Sequence, residues 1–213
     1  MLADAGADVI KIEPPDGDVV RQRPPQRGGI STYYASMNCG KRSVVLDLQT
    51  TEGKRLAREL ADQADIVVEN FRPGVMQRLK SRFLALRPGT RIASHQFDLG
   101  DWEPDETIEV EGRKGYLWVV PAAVEGTWRV AIPGEDFRLH LERRYQKLSA
   151  SGERGGRKLP VVGARLRGTE IRFTAFDRDG TARNFIGRLD GDRLVGESTV
   201  FNDARSLAWS AAR

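Results

Sequence analysis

Asn70, Phe71 and Arg72 stand directly after a short apolar run, Asp65–Glu69 (DIVVE), that reads as a strand. An amide, an aromatic ring and a guanidinium in that place suit a binding loop. In an open parallel sheet, ligands sit outside the carboxyl ends of the strands. Arg78 follows in a helical run, and guanidinium groups are the side chains best matched to phosphate or carboxylate oxygens. Each of these residues also has an ordinary structural reading. Arg72 and Arg78 are solvated charges on that view, Phe71 caps a sheet, and Leu46 is a core leucine on a buried strand.

Other chemistry finds little support in the residue types. His95 and His140 are the two histidines and Cys39 the one cysteine, and no zinc-ligand spacing occurs. Ser94, His95 and Asp98 do not make a triad, because neighbours on a strand point to opposite faces. No Walker A sequence is present. Gly152–Gly156 (GERGG) follows no strand-to-helix entry and reads as a hairpin loop. Ser94, His95, Asp98, Asp101 and Trp102 read as the edge of a site. Glu103, Asp105, Glu106 and Glu109 read as a solvated, turn-rich stretch.

The elements that must position the loop come first in the chain. Asp8–Glu13 (DVIKIE) predicts a strand that ends at Pro14-Pro15, since proline supplies no ladder donor. Glu13–Ile30, rich in proline, glycine and aspartate, reads as a loop. Ser43–Leu48 is a second strand. Thr50–Ala64 is a helix, with Leu56, Ala57, Leu60, Ala61 and Ala64 on one face and Thr51 as its N-cap. Asp65–Glu69 is the third strand. Ser43–Glu69 then forms a βαβ unit in a parallel sheet covered on both faces. Val75, Leu79, Phe83 and Leu86 fit a further helix, Pro88-Gly89 a turn, and Arg91–Phe97 a strand that can join this sheet as its fourth member.

From about Thr107 the rhythm changes. Thr107–Val110, Tyr116–Val120, Thr127–Ile132, Phe137–Leu148, Val161–Leu166, Thr169–Phe176, Asn184–Leu189 and Arg193–Glu197 read as strands, separated by turn signals such as Glu111-Gly112 and Asp190-Gly191-Asp192. The predicted fold is α/β, an incomplete Rossmann-like parallel sheet, followed by a mostly antiparallel β meander or partial barrel.

The composition of the 213-residue chain, 39% hydrophobic and 30% charged, is that of a soluble protein. No run of 18 apolar residues predicts a membrane span, and no secretory signal is expected, so the cytoplasm is the expected location. The net charge of +4 resides in residues 80–213, where 23 basic and 19 acidic side chains interleave. Nucleic-acid binding needs a clustered basic excess and is not expected.

Four stretches together resemble the opening of the class III CoA-transferases, the formyl-CoA and carnitine-CoA transferase type. They are LADAGADVIKIEPPDGD, NCGKRSVVLDL, TEGKRLARELADQADIVVEN and NFRPGVMQRL, within residues 1–79. The resemblance implies a CoA or acyl-CoA substrate contacted at Leu46, Asn70, Phe71, Arg72 and Arg78. It also implies that the family's dimeric assembly is one to consider. A further contact position, often lysine in the family, is Gln49 here. The family's nucleophilic aspartate, which forms a mixed anhydride and then a thioester, lies in a region downstream of NFRPG that has no match in this chain. The family's first strand and helix, before LADAGAD, have no match either. No catalytic residue and no metal ligand is assigned.

FLALRPGTRIASHQFDLGDWEPD (Phe83–Asp105), with YLWVVPAAVEGTWRV, GARLRGTEIRF, FIGRLDGDRLVG and AWSAAR, resembles the late part of bacterial class I SAM-dependent methyltransferases. Its glycine-rich SAM turn and ribose-binding acid have no match, so no SAM site is expected. The expected divisions are a truncated CoA-transferase-like segment (1–79), a joining helix and strand (80–106) and a β-rich module (107–213). Three functions follow from these resemblances. One is a CoA-transferase-like segment inactive by itself. The second is a methyltransferase remnant whose β-rich module binds a substrate or partner. The third is a recombined or artefactual product without function.

Overall fold

The first strand and the fourth pair in parallel in the first part of the computed structural model, which describes residues 2–71, 74–177, 179–200 and 205–213. The chain divides into two compact units, Met1–Gln63 and Ala64–Arg213. In the first unit, β1 (Ile10–Glu13) lies parallel to β4 (Arg42–Val45), with Glu13 opposite Val45. Between them run a 3-10 turn, Val19–Gln22, a small hairpin of β2 (Gln26–Arg27) and β3 (Ile30–Ser31), and α1 (Thr32–Asn38). The expected loop therefore holds structure of its own. Ser31 caps α1 by accepting a hydrogen bond from the Tyr34 amide at 3.2 Å.

Helix α2 spans Thr51–Gln63, as its periodicity predicts. Its cap is Thr50 rather than Thr51: the Thr50 hydroxyl accepts from the Gly53 amide at 3.0 Å and donates to the Asp47 carbonyl at 2.8 Å. The predicted βαβ unit does not form. β4 pairs with β1, whereas β5 (Ile66–Glu69) belongs to another sheet. A two-stranded sheet offers too little area for helices to cover, and Ile10, Ile12 and Val45 remain exposed instead of doubly buried.

The second unit opens with β5, followed by α3 (Val75–Leu84), β6 (Arg91–His95), β7 (Glu106–Val110) and β8 (Arg113–Val119). Their sheet runs β5-β6-β8-β7. β5 and β6 are parallel, with Val67 opposite Ile92, so one sheet continues through residue 79. The expected joining of the 91–97 strand holds for β5, although not for β4. Helix α3 buries Met76 and Phe83. The β7–β8 hairpin turns on Glu111 and Gly112, both with positive φ (52° and 72°), the conformation that two-residue hairpin loops require.

Nine antiparallel strands then nearly close a barrel. They are β9 (Gly126–Ile132), β10 (Glu135–Arg144), β11 (Lys147–Arg154), β12 (Arg157–Leu159), β13 (Val161–Arg167), β14 (Glu170–Phe176), β15 (Ala182–Asp190), β16 (Arg193–Val200) and β17 (Ser206–Ala212). The sheet order is β12-β11-β10-β9-β17-β16-β15-β14-β13, with β17 returning to pair with β9. Alternation does the sorting: Trp128, Val130 and Ile132 of β9 face the core while Arg129 faces out. Stacked Phe173 and Phe185, with Trp209 edge-on to both, fill the centre.

The predicted Phe137–Leu148 strand is two strands, divided at Tyr145-Gln146. No glycine, proline or asparagine marks this turn. Tyr145 takes φ 55°, and tertiary contacts offset the strain: its ring stacks on Trp102 and its hydroxyl donates to Asp101 at 2.8 Å.

Candidate site at the carboxyl end of strand β5

Glu69 ends β5 with its side chain buried. Its Oε2 accepts a hydrogen bond from the Phe71 amide at 2.6 Å, while its buried Oε1 has no hydrogen-bond partner among the described residues. This charge-assisted bond fixes the backbone as it leaves the strand. Asn70 is exposed, and Phe71 keeps 41% of its surface open to solvent, so the ring does not cap the sheet. Arg72 lies outside the described residues. Arg78 is exposed on α3. These three described residues belong to the second compact unit. Leu46 belongs to the first, where it follows β4, is 9% exposed, and donates its amide to the Glu13 carbonyl at 2.9 Å. Gln49 is exposed, with its amide bonded to Asp47 Oδ1 at 2.8 Å.

The most elaborate polar network centres on Glu13, where the predicted strand Asp8–Glu13 meets the predicted loop Glu13–Ile30. Its buried carboxylate accepts from Arg21 Nε (2.7 Å) and Nη2 (2.9 Å), Tyr34 Oη (2.6 Å), Ser43 Oγ (2.8 Å) and the Asp18 amide (2.9 Å). The Arg21 guanidinium holds this carboxyl far below the usual carboxylate range, with Tyr34, Asp18 and Ser43 adding to the effect against burial. Burial and the same carboxylate push the Tyr34 phenol up. Lys11 and the Val20 amide hold Asp18 down. With its acceptor capacity spent, Glu13 is an anchor for the loop after β1 and not a free base. Nothing in the sequence marks this role, because burial of the acid that ends an apolar strand is a tertiary property.

In the 94–102 region most of the polar side chains hold local turns or neighbouring elements. Ser94 donates to the Phe97 carbonyl at 2.7 Å, while the adjacent His95 is exposed, which separates them by face as strand geometry demands. Asp98 accepts from the Gly100 amide at 2.9 Å. Asp101 pairs with Lys80 and accepts from Tyr145 and Arg144, so its carboxyl lies far below its ordinary range. Trp102 is fully buried, and its carbonyl accepts from Trp118 Nε1 at 2.8 Å. Asp101 and Trp102 thus fasten α3 and the β10–β11 turn.

The acidic stretch is less solvated than its composition suggests. Glu103 pairs with Lys147 and Glu106 with Arg167. Asp105 accepts from the Val119 amide at 2.7 Å, and burial pushes its carboxyl up. Gly155 and Gly156 carry the β11–β12 turn, as expected for a hairpin loop. Among the described residues, no group of three or more His, Cys, Asp or Glu side chains is arranged to hold a metal, and no helix is long and apolar enough to cross a membrane.

Residues 1–89 match the model of CoA-transferase family III. The succinyl-CoA:mesaconate CoA-transferase of Haloarcula hispanica is 42% identical over 92 residues, 41% of this chain and 23% of that protein. The acetyl-CoA:oxalate CoA-transferase of Acetobacter aceti is 46% identical over 80 residues, 37% of this chain and 21% of that one. The human succinyl-CoA:glutarate CoA-transferase is 35% identical over 134 residues, 62% of this chain and 30% of that one. The chain thus spans 23% of the first of these relatives and 30% of the last. Among solved structures, the RNA methyltransferase from Salinibacter ruber in complex with S-adenosyl-L-homocysteine is similar at 28% identity, over 58% of this chain and 88% of that chain, with a TM-score of 0.33.

Proposed function

We propose that the segment 1–79 carries the coenzyme-A-facing part of a class III CoA-transferase, and that this polypeptide by itself engages acyl-CoA without transferring it. The match of residues 1–89 to CoA-transferase family III is the observation that carries the reading. The loop geometry supports it. Asn70 and Phe71 follow β5 at its carboxyl end, with the ring exposed and the backbone held by Glu69. Arg72 and Arg78 supply cations for phosphate oxygens, Asn70 an amide for the pantetheine arm, and Phe71 an apolar wall. Leu46 belongs to the other compact unit and is almost buried there, so it carries none of this support.

Transfer requires a carboxylate that attacks the acyl-CoA carbonyl, expels the CoA thiolate and is left as a mixed anhydride. After Leu79 the chain completes α3 and enters the run Phe83–Asp105, whose motifs resemble another family, and Asp98 and Asp101 are occupied by a turn and an ion pair. Calorimetric titration with CoA and acetyl-CoA tests binding, with Arg78→Ala expected to weaken it about tenfold or more. Turnover of acetyl-CoA with any free carboxylate acceptor would refute the inactivity.

The motif run Phe83–Asp105 favours a second statement, about origin: residues 80–106 and 107–213 descend from a SAM-dependent methyltransferase. Under it the chain gives no heat with SAM. Resequencing of the reading frame across codons 76–84 separates a natural fusion from an artefact.

A further inference from the structure

Gly187 of β15 stands directly opposite Gly196 of β16, and neither position has room for a side chain. A Cβ would lie 2.5 Å from Trp209 Cζ2 at the first and 2.1 Å from the Ile186 carbonyl oxygen at the second. Glycines inside strands mark such close approaches and sharp bends. Buried Trp209 fills the core side of the pair. On the opposite side the two glycine backbones line a groove of about 440 Å³, within the size range of small-molecule sites.

Alternation fixes which side chains reach this groove. Phe185 and Leu194 point into the core, so Ile186, Arg188, Val195 and Glu197 point out on one shared face, and all four line the groove. Ile186 faces Glu197 across the ladder and Arg188 faces Val195. The four therefore form a square, with opposite charges on one diagonal and apolar side chains on the other. Diagonal neighbours lie within reach of long side chains, yet Arg188 and Glu197 are not spent on each other. Arg188 meets Asp190 at 3.9 Å, beyond hydrogen-bond length, and 67% of its side chain is exposed, so its donors stay available. Glu197 accepts from the Ser206 hydroxyl at 3.0 Å through Oε2, and its other oxygen has no partner among the described residues. Neighbouring Arg172 and Glu170 pair with one another at 2.6 Å and add no free charge.

We propose that this groove binds a zwitterionic α-amino acid with a branched aliphatic side chain, its carboxylate on Arg188, its ammonium on Glu197 and its side chain against Ile186 and Val195. A guanidinium fork matches a carboxylate, and a carboxylate accepts charge-assisted bonds from an ammonium. A ligand with a single charge leaves the other charged wall unmatched. The groove lies wholly in the second unit and involves none of the residues assigned to CoA, so the two proposals stand or fall separately.

Two-dimensional NMR of the whole chain titrated with L-leucine provides the test. Saturable amide shifts confined to the neighbourhoods of residues 184–188 and 195–199 are expected. Leucinamide lacks the carboxylate and 4-methylpentanoate lacks the ammonium, so each should bind about fivefold more weakly or worse, the scale of one partly exposed charge-assisted bond. Glycine, without the aliphatic side chain, should also bind about fivefold more weakly or worse. Glu197→Gln keeps an acceptor for the Ser206 hydroxyl. It should weaken leucine about fivefold or more without weakening 4-methylpentanoate. Arg188→Gln should weaken leucine to the same extent without weakening leucinamide. The proposal is overturned if leucine at millimolar concentration gives no saturable shift in these two strands. It is overturned equally if leucinamide or 4-methylpentanoate binds the native chain as tightly as leucine, or if both variants keep the native affinity for leucine.

Discussion

Replacing Glu13 with glutamine removes the charge on which the loop after β1 converges. The native carboxylate takes five hydrogen bonds of 2.6 to 2.9 Å while its side chain is 1% exposed. Breaking a fully buried ion pair by deleting one partner costs about 3–5 kcal/mol. Arg21 keeps 45% of its side chain exposed and regains water, which lowers the expected cost to about 2–3 kcal/mol. For a unit of this size that corresponds to a Tm drop of about 10–20 °C. All four tryptophans lie in the second unit, so their fluorescence is blind to this change. Hydrogen exchange across residues 10–45 reports it, with Trp fluorescence as the internal control. The pH dependence gives a second handle. The Glu13 pKa is depressed on folding, so its contribution is present above the unfolded value of about 4.3 and is lost as pH falls below it towards the folded value. Glu13→Gln should lack that portion of the acid sensitivity. Equal protection in the variant and the native chain at pH 7, with equal loss on acidification, would refute the anchoring role.

Three further outcomes follow from the geometry. Gly187→Ala places a Cβ 2.5 Å from Trp209 Cζ2 and 2.6 Å from the Val195 carbonyl oxygen. Overpacking should cost about 1–3 kcal/mol, read as a lower urea midpoint by Trp fluorescence; an unchanged midpoint would contradict this packing. Asp105→Asn keeps an acceptor for the Val119 amide and removes a carboxyl whose folded pKa is raised by burial. The native group favours folding below its unfolded pKa of about 3.9 and loses that contribution as pH rises through the folded value. The variant should therefore gain stability over the native chain at pH 7 and lose that advantage near pH 3. Glu69→Ala frees the Phe71 amide and should weaken CoA binding about tenfold while leaving the barrel's urea midpoint unchanged.

Local pattern was enough for the strands whose alternation is strong and whose turns carry glycine. The 127–132 run, the β7–β8 hairpin and the glycine turn at 155–156 all follow from side-chain period and positive-φ residues. It failed where the information is tertiary. Nothing local announces a turn at Tyr145, because the stack on Trp102 and the bond to Asp101 come from elsewhere in the chain. Nothing local separates β4 from β5, since two apolar strands around a helix look alike whether or not they share a sheet. The loop of Asn70 and Phe71 was legible as a strand-end feature. The Glu69 hook that shapes it was not, because a carboxylate ending a strand is more often solvated.

Hydrogen exchange of the whole chain with and without CoA tests the proposed coenzyme-A-facing segment most directly. Slowed exchange confined to the neighbourhoods of residues 44–49 and 69–79, with no change across the strands of the barrel, is the expected pattern. Protection limited to the barrel, or none anywhere at saturating CoA, would contradict a coenzyme-A-facing surface in the first third of the chain.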